Sequence, residues 1–372
     1  MNVIRTRELD GLRGIAALMV VFWHFFTLFP VNSWTLVWKL SPLYMLIAGR
    51  EAVVIFFVLS GFALDRMWQK AKNAGYAAFA FRRAIRIYGP YLGALMLAIA
   101  GNFLLSKGYR EGFSPWFNRT WPVPVHSSDV LQHVFFLGVY NTTLFNAAFW
   151  SLVHEMRISL VFPVLLALAA YREPFRQVAI AVVLLIMGTF MTATLTKNTD
   201  LGDSVHFAGL FVFGICISEH QSRLEQWYQR LNRFRVMAFA VAAFILFFYG
   251  RLAVHVLPLA YASMLDLPVG FGASGIVVFA FSSARTSNLL TSSLVAWLGD
   301  LSYSVYLVHS TVLFALVNLL NLGRPGWALL CLYVPLTILV ADRFHAWIER
   351  PLLNWSRMVT VMSRLPVPRS LT

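Results

Sequence analysis

The chain has 372 residues, of which 59% are hydrophobic and 12% charged, and its mean hydropathy is +0.68. An average soluble domain carries about 25% charge, so this composition excludes a soluble globular protein, and the apolar content excludes disorder. The net charge of +14 comes from 30 Lys and Arg against 16 Asp and Glu. In a multi-span membrane protein such an excess collects in cytoplasmic loops, so no nucleic-acid partner is expected.

Ten apolar stretches approach the roughly 20 residues that a transmembrane helix needs. In chain order they are 14–30, 48–64, 88–105, 149–170, 178–195, 205–218, 236–249, 268–283, 302–320 and 327–344. The expected fold is all-α, a polytopic integral membrane protein of about ten transmembrane helices. Segment 131–137 is too short to span and reads as interfacial or re-entrant; 254–267 reads the same way. With a cytoplasmic N-terminus, 21 of the 30 Lys and Arg fall on the cytoplasmic side, as the positive-inside rule requires, and both termini are cytoplasmic. The first apolar run lacks a small-residue cleavage site and reads as a retained helix. The loop 106–130 is long enough for a lid or binding loop. Cys216 and Cys331 both lie in apolar runs, so neither a disulfide framework nor a metal site is expected.

Ionisable groups at bilayer depth are functional candidates, because each costs at least about 2.5–3.5 kcal/mol to insert. On the first span, Arg13 and His24 are eleven residues apart. They therefore share a helix face and are separated by roughly 16 Å. Two readings fit: an elongated ligand with an anionic head and a reactive tail, or a buried structural histidine with Arg13 anchoring the helix end. On the fourth span, Ser151, Glu155 and Ser159 form a polar stripe at i and i+4, with His154 and Arg157 on an adjoining arc. That face lines a cavity or meets polar partners rather than lipid. It is expected to lie at the depth of His24; pairing of Glu155 with His154 or Arg157 is the structural alternative. Arg83 and Arg86, at i and i+3, share a face and suit either a phosphate clamp or an anchor on anionic membrane lipid.

Taken together these residues resemble the membrane acyltransferase-3 family. Leu9-Asp10-Gly11-Leu12-Arg13-Gly14 with His24 is similar to its first-helix motif. Gly49-Arg50-Glu51-Ala52-Val53 followed by Phe56-Phe57-Val58-Leu59-Ser60-Gly61-Phe62 is similar to its second. Arg82-Arg83-Ala84-Ile85-Arg86 resembles its arginine motif, and Trp150-Ser151-Leu152 with Glu155 its tryptophan–serine–leucine motif. Leu298-Gly299-Asp300-Leu301-Ser302-Tyr303-Ser304-Val305-Tyr306-Leu307-Val308-His309 resembles the late-helix signature, and Glu349-Arg350-Pro351 the closing motif. The chain departs from the pattern at Ile158-Ser159, where the family has an aromatic pair.

The resemblance implies a single transmembrane acyltransferase domain over residues 1–372, without an appended esterase-like domain, in a bacterial inner membrane. It implies acyl transfer, most often of acetyl, from cytosolic acyl-coenzyme A to a hydroxyl of an extracytoplasmic or lipid-linked glycan. The acceptor class is a polysaccharide of the cell envelope, such as an exopolysaccharide, which makes a polysaccharide-biosynthesis machinery a candidate partner. Acetyl-coenzyme A is the donor substrate, with no permanently bound cofactor and no metal. By the resemblance, His24 and Glu155 are catalytic, and Arg13, Arg83 and Arg86 hold the coenzyme A phosphates. Ser60, Trp150, Ser151, Arg157, Tyr306 and His309 are secondary candidates for the substrate or cavity wall, and packing is the first expectation for Ser60, Tyr303, Tyr306 and His309. The rival class is a multi-span transporter or flippase for a glycan or lipid.

Overall fold

The computed structural model describes residues 7–30, 38, 41–71, 75–136, 141–194, 199–251 and 259–362. Both chain ends, Arg5, Lys72, Leu137 and the first part of the expected segment 254–267 lie outside the described residues. The helices are α1 (Arg7–Phe26), α2 (Gly49–Ala71), α3 (Gly75–Leu105), α4 (Pro115–Asn118), α5 (Ser127–Phe135), α6 (Phe149–Leu160), α7 (Phe162–Ala169) and α8 (Pro174–Thr194). They continue with α9 (Thr199–Glu219), α10 (Gln221–Gln229), α11 (Arg233–Tyr249), α12 (Asp266–Ser282), α13 (Ala284–Leu290), α14 (Ser293–Leu319), α15 (Ala328–Phe344) and α16 (Arg350–Met362). Among the described residues there is no strand.

Each of the ten expected stretches coincides with a helix, but not all of these meet the same standard. Seven helical stretches are long and apolar enough to cross a membrane, and the bent pair α6–α7 makes eight. Two helices fall outside this set: α2 carries Arg50, Glu51, Asp65 and Arg66, and α11 has 17 residues. The fourth stretch is not one straight helix. It bends by 66° between α6 and α7, where Pro163 stands in the first turn of α7. Proline lacks an N–H and its ring clashes with the preceding turn, so Pro163 cannot continue the α6 hydrogen-bond ladder. The third stretch is longer than expected. The arginine run is part of the 31-residue α3, which continues through Pro90.

The centre of the bundle is α14: 78% of its most apolar window is buried, against 28% for α8. Packing α1 against α14 depends on two glycines, since a Cβ on Gly14 would meet the backbone of Gly299 at 2.7 Å. Likewise Gly61 on α2 abuts the Phe211 carbonyl of α9. Small residues let backbones touch where no apolar driving force separates helix from lipid.

At one end of α2 a group of charges is sealed into the bundle. Glu51 is fully buried; the Arg251 Nε lies 3.2 Å from its Oε1, and the Tyr44 hydroxyl donates to the same oxygen at 2.9 Å. Arg251 also pairs with Asp266, whose Oδ2 lies 3.1 Å from the His206 Nε2. Burial, together with the Glu51 charge, pushes the Tyr44 phenol well above its ordinary range, so it remains a donor.

Candidate functional site

A cavity of about 990 Å³ opens among α1, α2, α3, α6, α14 and the α15–α16 junction. This is the upper end of the roughly 300–1,000 Å³ usual for ligand pockets. Its wall includes Arg13, Arg83 and Arg86, together with Ser60, Ser151, Glu155 and Tyr306. Arg86 is exposed, whereas Arg83 is buried at 5%.

Arg83 is held rigidly. One guanidinium nitrogen pairs with Glu155 Oε1, and Nε donates to Ser159 Oγ at 2.9 Å. The Ser60 hydroxyl donates to the same Glu155 oxygen at 2.9 Å. The α6 stripe of Glu155 and Ser159 therefore faces α3, and its i, i+4 spacing lets both residues grip one guanidinium. Arg13 donates to the Leu59 carbonyl at 3.1 Å and lies 3.6 Å from Asp10. With Arg66 and Arg350, five guanidiniums border this one cavity, an arrangement suited to phosphate oxygens.

The cavity stops at a bridge. Ser151 Oγ and the Tyr306 hydroxyl are 2.6 Å apart, and Ser151 also donates to the Ala148 carbonyl at 3.1 Å. With its one hydroxyl proton so engaged, Ser151 accepts from Tyr306. Phe56 packs edge-on against the Tyr306 ring, with centroids 5.4 Å apart. Neither His24 nor His309 borders the cavity. They sit behind Tyr306, whose ring centroid is 5.9 Å from that of His309.

His24 is 9% exposed. Its Nδ1 lies 2.9 Å from His309 Nε2 and 3.0 Å from the Val20 carbonyl. On its other side the ring stacks on Trp116, with centroids 5.3 Å apart and planes at 29°. Trp116 belongs to α4, in the loop expected to be a lid or binding loop. Ser114, just before α4, donates its N–H to the Leu28 carbonyl at 3.0 Å and its hydroxyl to Thr27, fastening the loop over the end of α1.

Several expectations change here. Glu155 does not meet His24: it binds Arg83 at the cavity wall, and the side chain that meets His24 is His309. Neither structural alternative for Glu155 is seen, since His154 bonds Ser204 at 2.9 Å and Arg157 lies 3.7 Å from Asp200. Arg157 and Trp150 do not border the cavity; the Trp150 ring packs against Phe207, with centroids 5.6 Å apart. Ser60 and Tyr306 are cavity wall rather than plain packing. Tyr303 also lines the cavity while donating to the Ile87 carbonyl at 2.8 Å.

A second carboxylate, named in the sequence only as part of the closing motif and not as a site residue, also belongs to the cavity wall. Glu349 accepts from Ser304 at 2.6 Å, and its Oε2 lies 3.0 Å from His345 Nδ1; both Glu349 and His345 line the cavity. They occupy a single π-helical turn, His345–Glu349, between α15 and α16. Such turns cluster at functional sites. The available signal was a His and a Glu four apart directly after an apolar stretch.

Over 369 residues the chain is 22% identical to the peptidoglycan O-acetyltransferase OatA of Listeria monocytogenes, covering 93% of this chain and 55% of that protein. Over 167 residues it is 29% identical to the acyltransferase MdmB of Streptomyces mycarofaciens, covering 44% of this chain and 39% of that protein. The chain thus spans about half the length, or less, of these curated relatives. No solved structure matches it. The acyltransferase-domain model of the acyltransferase-3 family matches residues 6–343, nearly the whole bundle including α1, α14 and most of the cavity wall, and the chain belongs to that family of membrane acyltransferases.

Proposed function

We propose that this protein is an O-acetyltransferase of a bacterial inner membrane. It takes acetyl from cytosolic acetyl-coenzyme A and passes it to a hydroxyl of an extracytoplasmic or lipid-linked glycan. With α2 and α11 counted, this reading has ten crossings and two cytoplasmic termini. One observation carries it. A single cavity borders Arg13, Arg83 and Arg86 among its five arginines and stops one side chain short of the paired imidazoles. The O-acetyltransferase name of a relative matched over 93% of this chain supports the acetyl group and the oxygen acceptor.

In this reading Arg13, Arg83 and Arg86 bind the coenzyme A phosphates, and Glu155 positions Arg83 rather than the imidazole. The pantetheine arm runs along the cavity toward Tyr306. The Ser151–Tyr306 bridge opens to admit the thioester to His24. There His24 Nε2 takes the proton of the acceptor hydroxyl as general base, an imidazole being suited to this near neutral pH. The freed oxygen pair forms the new C–O bond at the thioester carbonyl. The C–S bond breaks, and the thiolate leaves with the proton that His24 had accepted. The products are the acetyl ester and free coenzyme A.

The test is label transfer from radioactive acetyl-coenzyme A by the protein in liposomes, with His24→Ala and Arg83→Ala beside the wild type. Coenzyme A release that is lost in His24→Ala and has a raised KM in Arg83→Ala, each folded as the wild type, supports the proposal. A folded wild type that neither binds nor consumes acetyl-coenzyme A overturns it in favour of a transporter.

A further inference from the structure

We infer that His309 is a positioning residue that fixes the tautomer of His24 and leaves Nε2 as its free base. The inference rests on the acetyl-transfer reading for its consequence but on the hydrogen bonds alone for its substance.

Two carbonyls decide the matter. His309 Nδ1 lies 3.2 Å from the carbonyl of Val305, one turn below it on α14. A carbonyl only accepts, so in a singly protonated ring the proton is on Nδ1 and Nε2 is bare. That bare nitrogen is 2.9 Å from His24 Nδ1, which is itself 3.0 Å from the Val20 carbonyl. Both neighbours of His24 Nδ1 are acceptors, so Nδ1 carries the proton and shares it between them. The lone pair of His24 is then on Nε2. The opposite assignment, with His309 Nε2 donating to His24, sets a bare nitrogen against a carbonyl at both Val305 and Val20. Only the first assignment turns every one of these contacts into a hydrogen bond, and unmade bonds are expensive at such burial.

This arrangement has a consequence for each half of the reaction. Before transfer, Nε2 holds no proton and is ready to receive the one on the acceptor hydroxyl. After receiving it, His24 carries two N–H groups and a positive charge. The Nδ1–H remains on His309 Nε2 and Val20, so the charge forms without any new bond having to be found. Trp116, stacked on the other side of the ring, presents a π face that favours the cation. His309 keeps its own proton throughout and returns unchanged. It acts in the manner of the outer partner that fixes ring orientation and basicity for a working imidazole.

Two measurements on the full-length protein in liposomes test this. The first is solid-state NMR of protein labelled with 15N-histidine, with the ring signals assigned by His24→Ala and His309→Ala. The expected spectrum has His24 protonated on Nδ1 and a through-hydrogen-bond 15N–15N coupling from that nitrogen to a bare His309 Nε2. A His24 protonated on Nε2, or no such coupling, overturns the inference. The second is coenzyme A release from acetyl-coenzyme A. His309→Ala should lower kcat by about 10- to 100-fold, the scale of losing a partner that orients a working histidine, with KM for acetyl-coenzyme A within about twofold. His309→Gln, whose amide oxygen can accept at the Nε2 position, should recover most of that loss. Wild-type kcat in His309→Ala, or an equal deficit in folded His309→Gln, overturns the positioning role. A wild type with no turnover would remove the transferase reading, and the nitrogen spectrum would still decide the tautomer.

Discussion

The Arg83–Glu155 pair and the Arg251–Glu51–Asp266 group are both buried ionic clusters, and both are reached from α2. Ser60 in the middle of that helix bonds Glu155; Glu51 in its first turn bonds Arg251. The first cluster lines a cavity of about 990 Å³, whereas none of Arg251, Glu51, Asp266 and His206 does. Glu155 retains 20% side-chain exposure, while Glu51 has none. Charge inside an apolar bundle therefore has two uses here. Where a cavity admits water or ligand, a fixed guanidinium is available for binding. Where no cavity exists, each charge is satisfied only by its protein partners, and the cluster joins α2, α9, α12 and the end of α11 to one another. The family motif that runs through α2 does not distinguish the two.

The sharpest way to break this comparison is to remove Arg251. Arg251→Ala leaves Glu51 and Asp266 buried without their cation, which should cost about 3–5 kcal/mol and depress the yield and thermal midpoint of the folded protein. If Arg251→Ala unfolds at the wild-type temperature, the sealed cluster is not structural. Next in size is Arg83→Ala. It should raise KM for acetyl-coenzyme A by about 10-fold or more, since a hydrogen bond to a charged group contributes about 1.5–3 kcal/mol, while the thermal midpoint moves less than in Arg251→Ala. The reverse ranking of the two stabilities would make the cavity pair the structural one.

Smaller still, Tyr306→Phe removes the bridge to Ser151 and should speed acetyl-coenzyme A hydrolysis without acceptor by about threefold. That corresponds to roughly 0.6 kcal/mol off the barrier, and a steady-state assay of coenzyme A release reads it. Unchanged hydrolysis would mean that the bridge is not a barrier. The least effect belongs to Arg157→Ala. Its partner Asp200 is 3.7 Å away and both are partly exposed, so stability should shift by no more than about 1 kcal/mol with transfer retained. A large loss of transfer would return Arg157 to the site.

Much of the site was legible one helix at a time. Arg13, Arg83, Arg86, Ser60, Ser151 and Glu155 each border the cavity, and each was marked by polarity in an apolar setting or by a short motif. Partnerships were not legible. Depth along α6 could not name the partner of Glu155, because Arg83 comes from another helix, α3. His309 carried no sign of being the neighbour of His24, because 285 residues separate them and only the packing of α1 on α14 joins them. Trp116 was hidden for the same reason, lying in a loop whose landing point depends on Thr27 and Leu28.

The amino-acid sequence by itself determined the solvent, the helical class and the family, because hydropathy, charge and short motifs are local properties that survive without coordinates. It also marked some of the polar residues that enter the bundle, Arg83, Glu155 and His24 among them, because their cost at bilayer depth makes them conspicuous, but not Arg251, Asp266 or His206. Only the tertiary structure decided which of them meet, which border a cavity and which are sealed. Those outcomes depend on helix bends, on glycine-mediated contacts such as Gly14 on Gly299, and on the register of one helix against another. A periodicity of 3.6 residues names a face but not the helix that it faces.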